Sequence, residues 1–125
     1  MKREWTKAQS DAIGALDGSV LVSAAAGSGK TAVLTQRVIN RLTVGENPTS
    51  VDRLLVVTFT RAAAQEMKQR IGDALSELIK KDPTDRKLIN QQMLLPTAKI
   101  CTIDSFCSDL VKENFQALSI APDFK

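Results

Sequence analysis

The stretch Ala24-Ala25-Ala26-Gly27-Ser28-Gly29-Lys30-Thr31 decides the fold. A brief apolar run, residues 19–23, precedes it. In the segment that follows, residues 30–42, Leu34, Val38 and Leu42 recur at i, i+4 and i+8. The run reads as a buried strand after the Asp17-Gly18 turn signal, and the segment as an amphipathic helix. A Gly-rich loop ending in Gly-Lys-Thr between a strand and a helix is the setting of a phosphate-binding loop. Gly27 and Gly29 let the backbone turn with its N–H groups inward, which makes a nest for phosphate oxygens. The start of the helix adds its dipole and its unpaired N–H groups. Lys30 is expected to neutralise the β and γ phosphates, and the Thr31 hydroxyl to ligate Mg²⁺. Ala24 stands where the general pattern has Gly, and its small side chain leaves room for the turn. Ala24, Ala25, Ala26, Gly27, Ser28, Gly29, Lys30 and Thr31 together form the candidate nucleotide site of a P-loop NTPase.

Outward from this loop the chain keeps alternating. Residues 5–16 read as a short helix, because Thr6 followed by Gln9 fits a capping box and Ala8, Ala12, Ala15 and Leu16 share a face. Residues 45–50, with Gly45, Asn47 and Pro48, read as a loop. Residues 54–58 are a continuous, β-branched run of the kind found in buried parallel strands. Thr60 can cap a long helix to about residue 80, with Met67, Ile71, Leu75 and Leu78 along one side. Asp82-Pro83 breaks it. Residues 85–95 read as another helix, stopped by Pro96, and residues 99–103 as a third strand. Asp104 is expected to cap a last helix through about residue 116, with Cys107, Leu110, Val111 and Phe115 turned inward. Strands alternating with helices make an α/β fold in which helices flank a parallel sheet. Three strands fall short of the roughly five or six of a typical sheet, so the domain is expected to be incomplete.

Composition narrows the class. The 125 residues suffice for one ordinary domain. With 43% hydrophobic and 25% charged residues, the chain is expected to be globular and soluble rather than disordered. No apolar run approaches the roughly 20 residues of a membrane span, and residues 1–5 are charged and then aromatic with no signal-peptide core behind them. A cytoplasmic location is the expectation. Cys101 and Cys107 have no His to join them in a metal site, and two thiols are too few ligands. They read as two small buried residues in a reducing compartment. A net charge of +3 and a pI near 9.0 are compatible with an anionic partner without identifying one.

A P-loop alone serves kinases, GTPases and motors alike. The remaining segments separate these by resemblance. Trp5-Thr6-Lys7-Ala8-Gln9 resembles the Q motif of superfamily 1 DNA helicases of the UvrD/PcrA/RecB type. The P-loop here ends in Gly-Ser-Gly-Lys-Thr as theirs does, and its continuation Ala-Val-Leu-Thr-Gln-Arg resembles theirs. Val57-Thr58-Phe59-Thr60-Arg61-Ala62-Ala63-Ala64-Gln65-Glu66-Met67 is similar to motif Ia, and Cys101-Thr102-Ile103-Asp104-Ser105-Phe106 resembles motif Ib. The resemblance covers nearly the whole chain in the right order. Within the superfamily it is nearest to the AddA type, the helicase/nuclease A subunits of bacterial recombination-repair complexes. Asp52-Arg53-Leu54-Leu55-Val56-Val57-Thr58-Phe59-Thr60, Ala32 directly after the Gly-Lys-Thr, and Ala121-Pro122-Asp123-Phe124 carry that choice.

This resemblance implies a partial RecA-like domain, with residues 1–125 forming the N-terminal part of helicase domain 1A. It implies ATP and Mg²⁺ as cofactors, single-stranded DNA and duplex ends as substrates, and a partner of the AddB type. The family carries its Walker B carboxylates, later motifs and nuclease domain further along, and no Asp-Glu dipeptide occurs here. The 125 residues alone are therefore expected to bind nucleotide weakly without turning it over.

The resemblance also implies roles for single residues. Gln9 matches the glutamine that reads the adenine edge, for which an amide supplies both donor and acceptor. The capping box with Thr6 is its competing reading. Trp5 reads as a packing residue. Thr58, Phe59, Thr60 and Arg61 match the motif that touches single-stranded DNA, offering hydroxyls and a guanidinium for phosphate and a ring for stacking. Phe59 reads alternatively as a core residue at a strand end. Thr102 and Ser105 match the second DNA-contacting motif as neutral donors, while Asp104 fits helix capping better. Two other identities stay open: a UvrD/PcrA-type repair helicase without a nuclease, and a small P-loop kinase or nucleotide-binding module.

Overall fold

The computed structural model describes residues 4–15, 18–21, 30–45 and 47–119. Helix α1 spans Lys7–Gly14 and α2 spans Lys30–Thr43. A single helical turn at Val51–Arg53 leads into strand β1, Leu55–Thr58. Helix α3 covers Arg61–Lys81 and α4 covers Arg86–Leu94. A second single turn, Leu95–Thr97, precedes strand β2, Lys99–Thr102. Helices α5, Ile103–Glu113, and α6, Phe115–Leu118, complete the described order.

The apolar stripe of α3 organises the core. Met67, Ile71 and Leu75 recur every four residues, and all three are buried. Around them gather Ile39 and Leu42 from α2, Val51 from the first turn, Leu88 from α4 and Leu95 from the second turn. Val56 of β1 and Ile100 of β2 pack onto the same cluster from the sheet. Gly72 allows the close approach of α3 to the second turn, because a Cβ there would stand 3.2 Å from Leu95 Cδ2. A smaller cluster of Ala12, Ile13 and Val33, with Trp5 packed against it, seats α1 on α2.

The strands β1 and β2 are parallel, with Leu55 opposite Lys99, Val56 opposite Ile100, Val57 opposite Cys101 and Thr58 opposite Thr102. A parallel pair needs a crossover, and α3 and α4 supply it. Helices thus flank a small parallel sheet, as an α/β fold of partial RecA-like kind requires.

Local signals placed most boundaries. Thr6 and Gln9 form the reciprocal capping box: the Thr6 N–H donates to Gln9 Oε1 at 2.9 Å and the Gln9 N–H to Thr6 Oγ1 at 3.2 Å. Thr60 caps α3 through the Ala63 N–H, and Asp85 caps α4 through those of Lys87 and Leu88.

Four expectations are corrected. Ser19, Val20 and Leu21 are not in a strand, and Leu21 is 95% exposed. A strand needs a ladder partner, and these three residues find none among the described ones, so the described sheet has two strands rather than three. Residues 22 and 23 of that expected strand lie outside the described residues. Strand β1 is not fully buried: Val56 faces the core while Leu55 and Val57 stay about half exposed, since the described core lies on the Val56 side. Thr102, not Asp104, caps α5, because Thr102 ends the strand in extended backbone with its hydroxyl over the Ser105 N–H. Asp104 sits in the first helical turn. Finally, α5 stops at Glu113 and has no buried residue: Cys107 and Leu110 are exposed, Val111 and Phe115 half-buried, and Cys101 is half-buried as well. Both cysteines are free thiols.

Candidate functional site

Two short segments converge at one end of the sheet. Because β1 and β2 run parallel and in register at Thr58 and Thr102, their carboxyl ends lie side by side. Each strand leads directly into a helix, so the N-termini of α3 and α5 open at the same edge. Ligands of open α/β sheets bind at this edge, where helix N–H groups point outward.

The hydroxyls here are ordered by the caps. Thr58 Oγ1 donates to the Thr60 carbonyl at 2.9 Å, which pins the two-residue bend between strand and helix. Thr60 Oγ1 accepts from the Ala63 N–H at 3.1 Å. Thr102 Oγ1 accepts from the Ser105 N–H at 3.0 Å and donates to Ser105 Oγ at 2.9 Å. Thr58 and Thr102 thus spend their protons internally, whereas Thr60 and Ser105 accept one bond and retain a proton to donate. The bend between β1 and α3 turns Phe59 outward, leaving it 91% exposed beside the exposed Arg61. This removes the core reading of Phe59. A bare ring, a guanidinium and two hydroxyl donors at paired helix starts can stack a base and hold phosphate oxygens.

The phosphate-loop residues 24–29 lie outside the described residues. Lys30 and Thr31 open the 14-residue helix α2, Lys30 exposed and Thr31 half-buried. Thr35 Oγ1 donates to the Thr31 carbonyl at 2.8 Å, and the same hydroxyl lies 3.5 Å from Met67 Sδ, so the first turn of α2 is tied to α3. A cavity of about 200 Å³ beside this turn is lined by Val20, Lys30, Val33, Leu34 and Arg37. An ammonium and a hydroxyl on consecutive residues at a helix start suit a triphosphate and its Mg²⁺.

Gln9 lies on α1, the helix that packs on α2. Its side-chain oxygen is engaged in the capping box, and a carbonyl oxygen accepts two bonds, so capping and adenine reading are compatible. Trp5 packs on the Ala12–Ile13–Val33 cluster, as expected. Arg37 closes the Ala-Val-Leu-Thr-Gln-Arg run that follows the P-loop, but no motif assigns a role to it or to Asn40. Arg37 Nη1 donates to the Ala12 carbonyl at 2.7 Å and also to the Ala15 carbonyl, and Asn40 Nδ2 reaches the Ile13 carbonyl at 3.5 Å. The signal in the sequence is that Arg37 and Asn40 fall four and seven residues after Val33, on the same helix face.

Kinship agrees with this geometry. The model of the UvrD/REP helicase N-terminal domain matches residues 5–125. The chain belongs to that family. Curated relatives agree along its whole length. The A subunit of the ATP-dependent helicase/nuclease of Clostridium perfringens (strain 13 / Type A) is 50% identical over 125 residues, which is 100% of this chain and 10% of the relative. That of Thermoanaerobacter sp. (strain X514) is 51% identical over 125 residues, with the same coverage. That of Clostridioides difficile (strain 630) is 49% identical over 122 residues, 98% of this chain and 10% of the relative. This UvrD/REP N-terminal domain therefore spans about 10% of the length of the curated relatives it matches. No helix among the described residues is long and apolar enough to cross a membrane.

Proposed function

We propose that this chain is the ATP-binding N-terminal segment of an AddA-type helicase/nuclease. That protein would unwind and resect DNA ends for recombinational repair beside an AddB-type partner in the cytoplasm. The observation that carries this reading is the family match over residues 5–125, joined to relatives at about half identity that are named as helicase/nuclease A subunits. Residues 1–125 would form the beginning of the ATP-binding domain.

ATP, when bound with Mg²⁺, supplies the free energy of phosphoryl transfer. The residues of this chain hold and orient it. Lys30 would offer its ammonium to the β and γ phosphates, Thr31 its hydroxyl to the metal, and residues 24–29 their backbone N–H groups to phosphate oxygens. Gln9 would read the adenine edge from the neighbouring helix. On the sheet edge, Phe59 would stack a base of single-stranded DNA, while Arg61, Thr60 and Ser105 take its phosphates. Thr58 and Thr102 act by shaping that edge, since their own protons are engaged. Both sites abut α3: its N-terminus borders the DNA edge, and Met67 lies beside Thr35 in the first turns of α2. A shift of α2 on nucleotide binding would thus be felt by the DNA-contacting edge.

The test is Lys30→Ala in a helicase/nuclease that carries this segment. ATP-driven unwinding of a duplex end should fall to background, because the γ-phosphate loses its countercharge. The 125 residues alone should bind a fluorescent ATP analogue without releasing phosphate. Unimpaired unwinding by Lys30→Ala, or robust DNA-stimulated ATPase from the 125-residue chain, would refute the reading.

A further inference from the structure

Helix α1 carries Gln9 but has little to hold it in place. It is eight residues long, with only Ala12 and Ile13 buried and no basic residue in its last turn. A helix that short is marginal by itself, and its last carbonyls lack partners within the helix. Those partners come from α2. Arg37 Nη1 donates to the carbonyls of Ala12 and Ala15, and Asn40 Nδ2 to that of Ile13. Gln36 Nε2 donates to Asn40 Oδ1 at 3.1 Å, which orients the Asn40 amide toward α1. The guanidinium also places a positive charge at the negative end of the α1 dipole.

Ile13 meets Val33, while Arg37 and Asn40, one and two turns further along α2, reach the carbonyls of Ala12, Ala15 and Ile13. The seam thus joins the helix that carries Gln9 to the helix that carries Lys30, and the Arg37 bonds fix one against the other.

We propose that Arg37 is a positioning residue for the nucleotide: its two bonds to the end of α1 set where Gln9 stands relative to Lys30. The proposal rests on the nucleotide reading above. Arg37 acts on the base end of the ligand through α1; because it also lines the cavity beside Lys30, a phosphate-only ligand is the control for any direct effect on the phosphate end. Lys at this position would keep the charge but replace the rigid, planar guanidinium whose Nη1 serves both carbonyls with an ammonium on a flexible stem.

Trp5 makes the test independent of activity, because it is the one tryptophan of the chain and packs on the α1–α2 cluster. In the 125-residue chain, Arg37→Met should raise acrylamide quenching of Trp5. It should weaken competition by ATP against a fluorescent nucleotide about tenfold, the equivalent of one charge-assisted hydrogen bond. Competition by inorganic tripolyphosphate should not change, so the preference for ATP over GTP should collapse. Arg37→Lys should fall between the two, and serves alone if Arg37→Met does not fold by circular dichroism. In a Gln9→Ala background, Arg37→Met should cost no further ATP affinity. Equal losses for ATP and tripolyphosphate, or losses that add to those of Gln9→Ala, would overturn the proposal. If the unaltered chain bound neither ligand, the nucleotide reading would fail by itself. Trp5 quenching unchanged by Arg37→Met would still overturn the clamp.

Discussion

Replacing Phe59 by alanine separates binding from folding, because its ring stands clear of the core. With 91% of its surface exposed, the ring contributes almost nothing to the core, so its loss should alter folding stability by no more than about 0.5 kcal/mol. A ring in that position is available to stack a base, and base–aromatic stacking is worth about 1–3 kcal/mol per base. Converted to affinity, that is a loss of about 5- to 150-fold for single-stranded DNA. The measurement is fluorescence anisotropy of a labelled oligothymidine at fixed salt, paired with a urea unfolding curve of the same protein. Phe59→Trp should retain binding, because it keeps a π face. Unchanged oligothymidine affinity in Phe59→Ala would remove the ring from the DNA interface. A shift of the unfolding curve by more than about 1 kcal/mol would show that Phe59 supports the fold instead, against its exposure.

Arg61→Ala should lower oligonucleotide affinity and reduce the slope of log affinity against log salt by about one phosphate contact, read from a salt titration. An unchanged slope would take Arg61 away from the backbone. Ile71→Ala removes a side chain with no exposed surface at the centre of α3 and should destabilise the chain by about 2–5 kcal/mol, measured by urea denaturation. A loss below about 1 kcal/mol would contradict the arrangement of the core around α3. Thr102→Ala deletes the cap of α5 and should cost about 1 kcal/mol, with Thr102→Ser restoring most of it. An equal cost for Asp104→Ala would return the cap to Asp104.

Periodicity and capping chemistry act within a few residues, and what depends on them was legible in the sequence. The buried stripe of α3, the Thr6–Gln9 box, the cap at Thr60 and the parallel sense of β1 and β2 all belong here. So does the P-loop pattern as a motif, and with it the family. Tertiary structure alone decided the rest, because burial is a property of what lies opposite a residue. Leu55 and Val57 carry the composition of a covered strand yet stay half exposed, on the side away from the described core. Phe59 could equally have been core, and the bend pinned by Thr58 turned it outward. The clamp of Arg37 on the end of α1 leaves no local pattern, since its bonds join residues 22 and 25 positions apart. Short-range signals chose the elements and their chemistry, and the contacts between elements chose which side chains that chemistry could use.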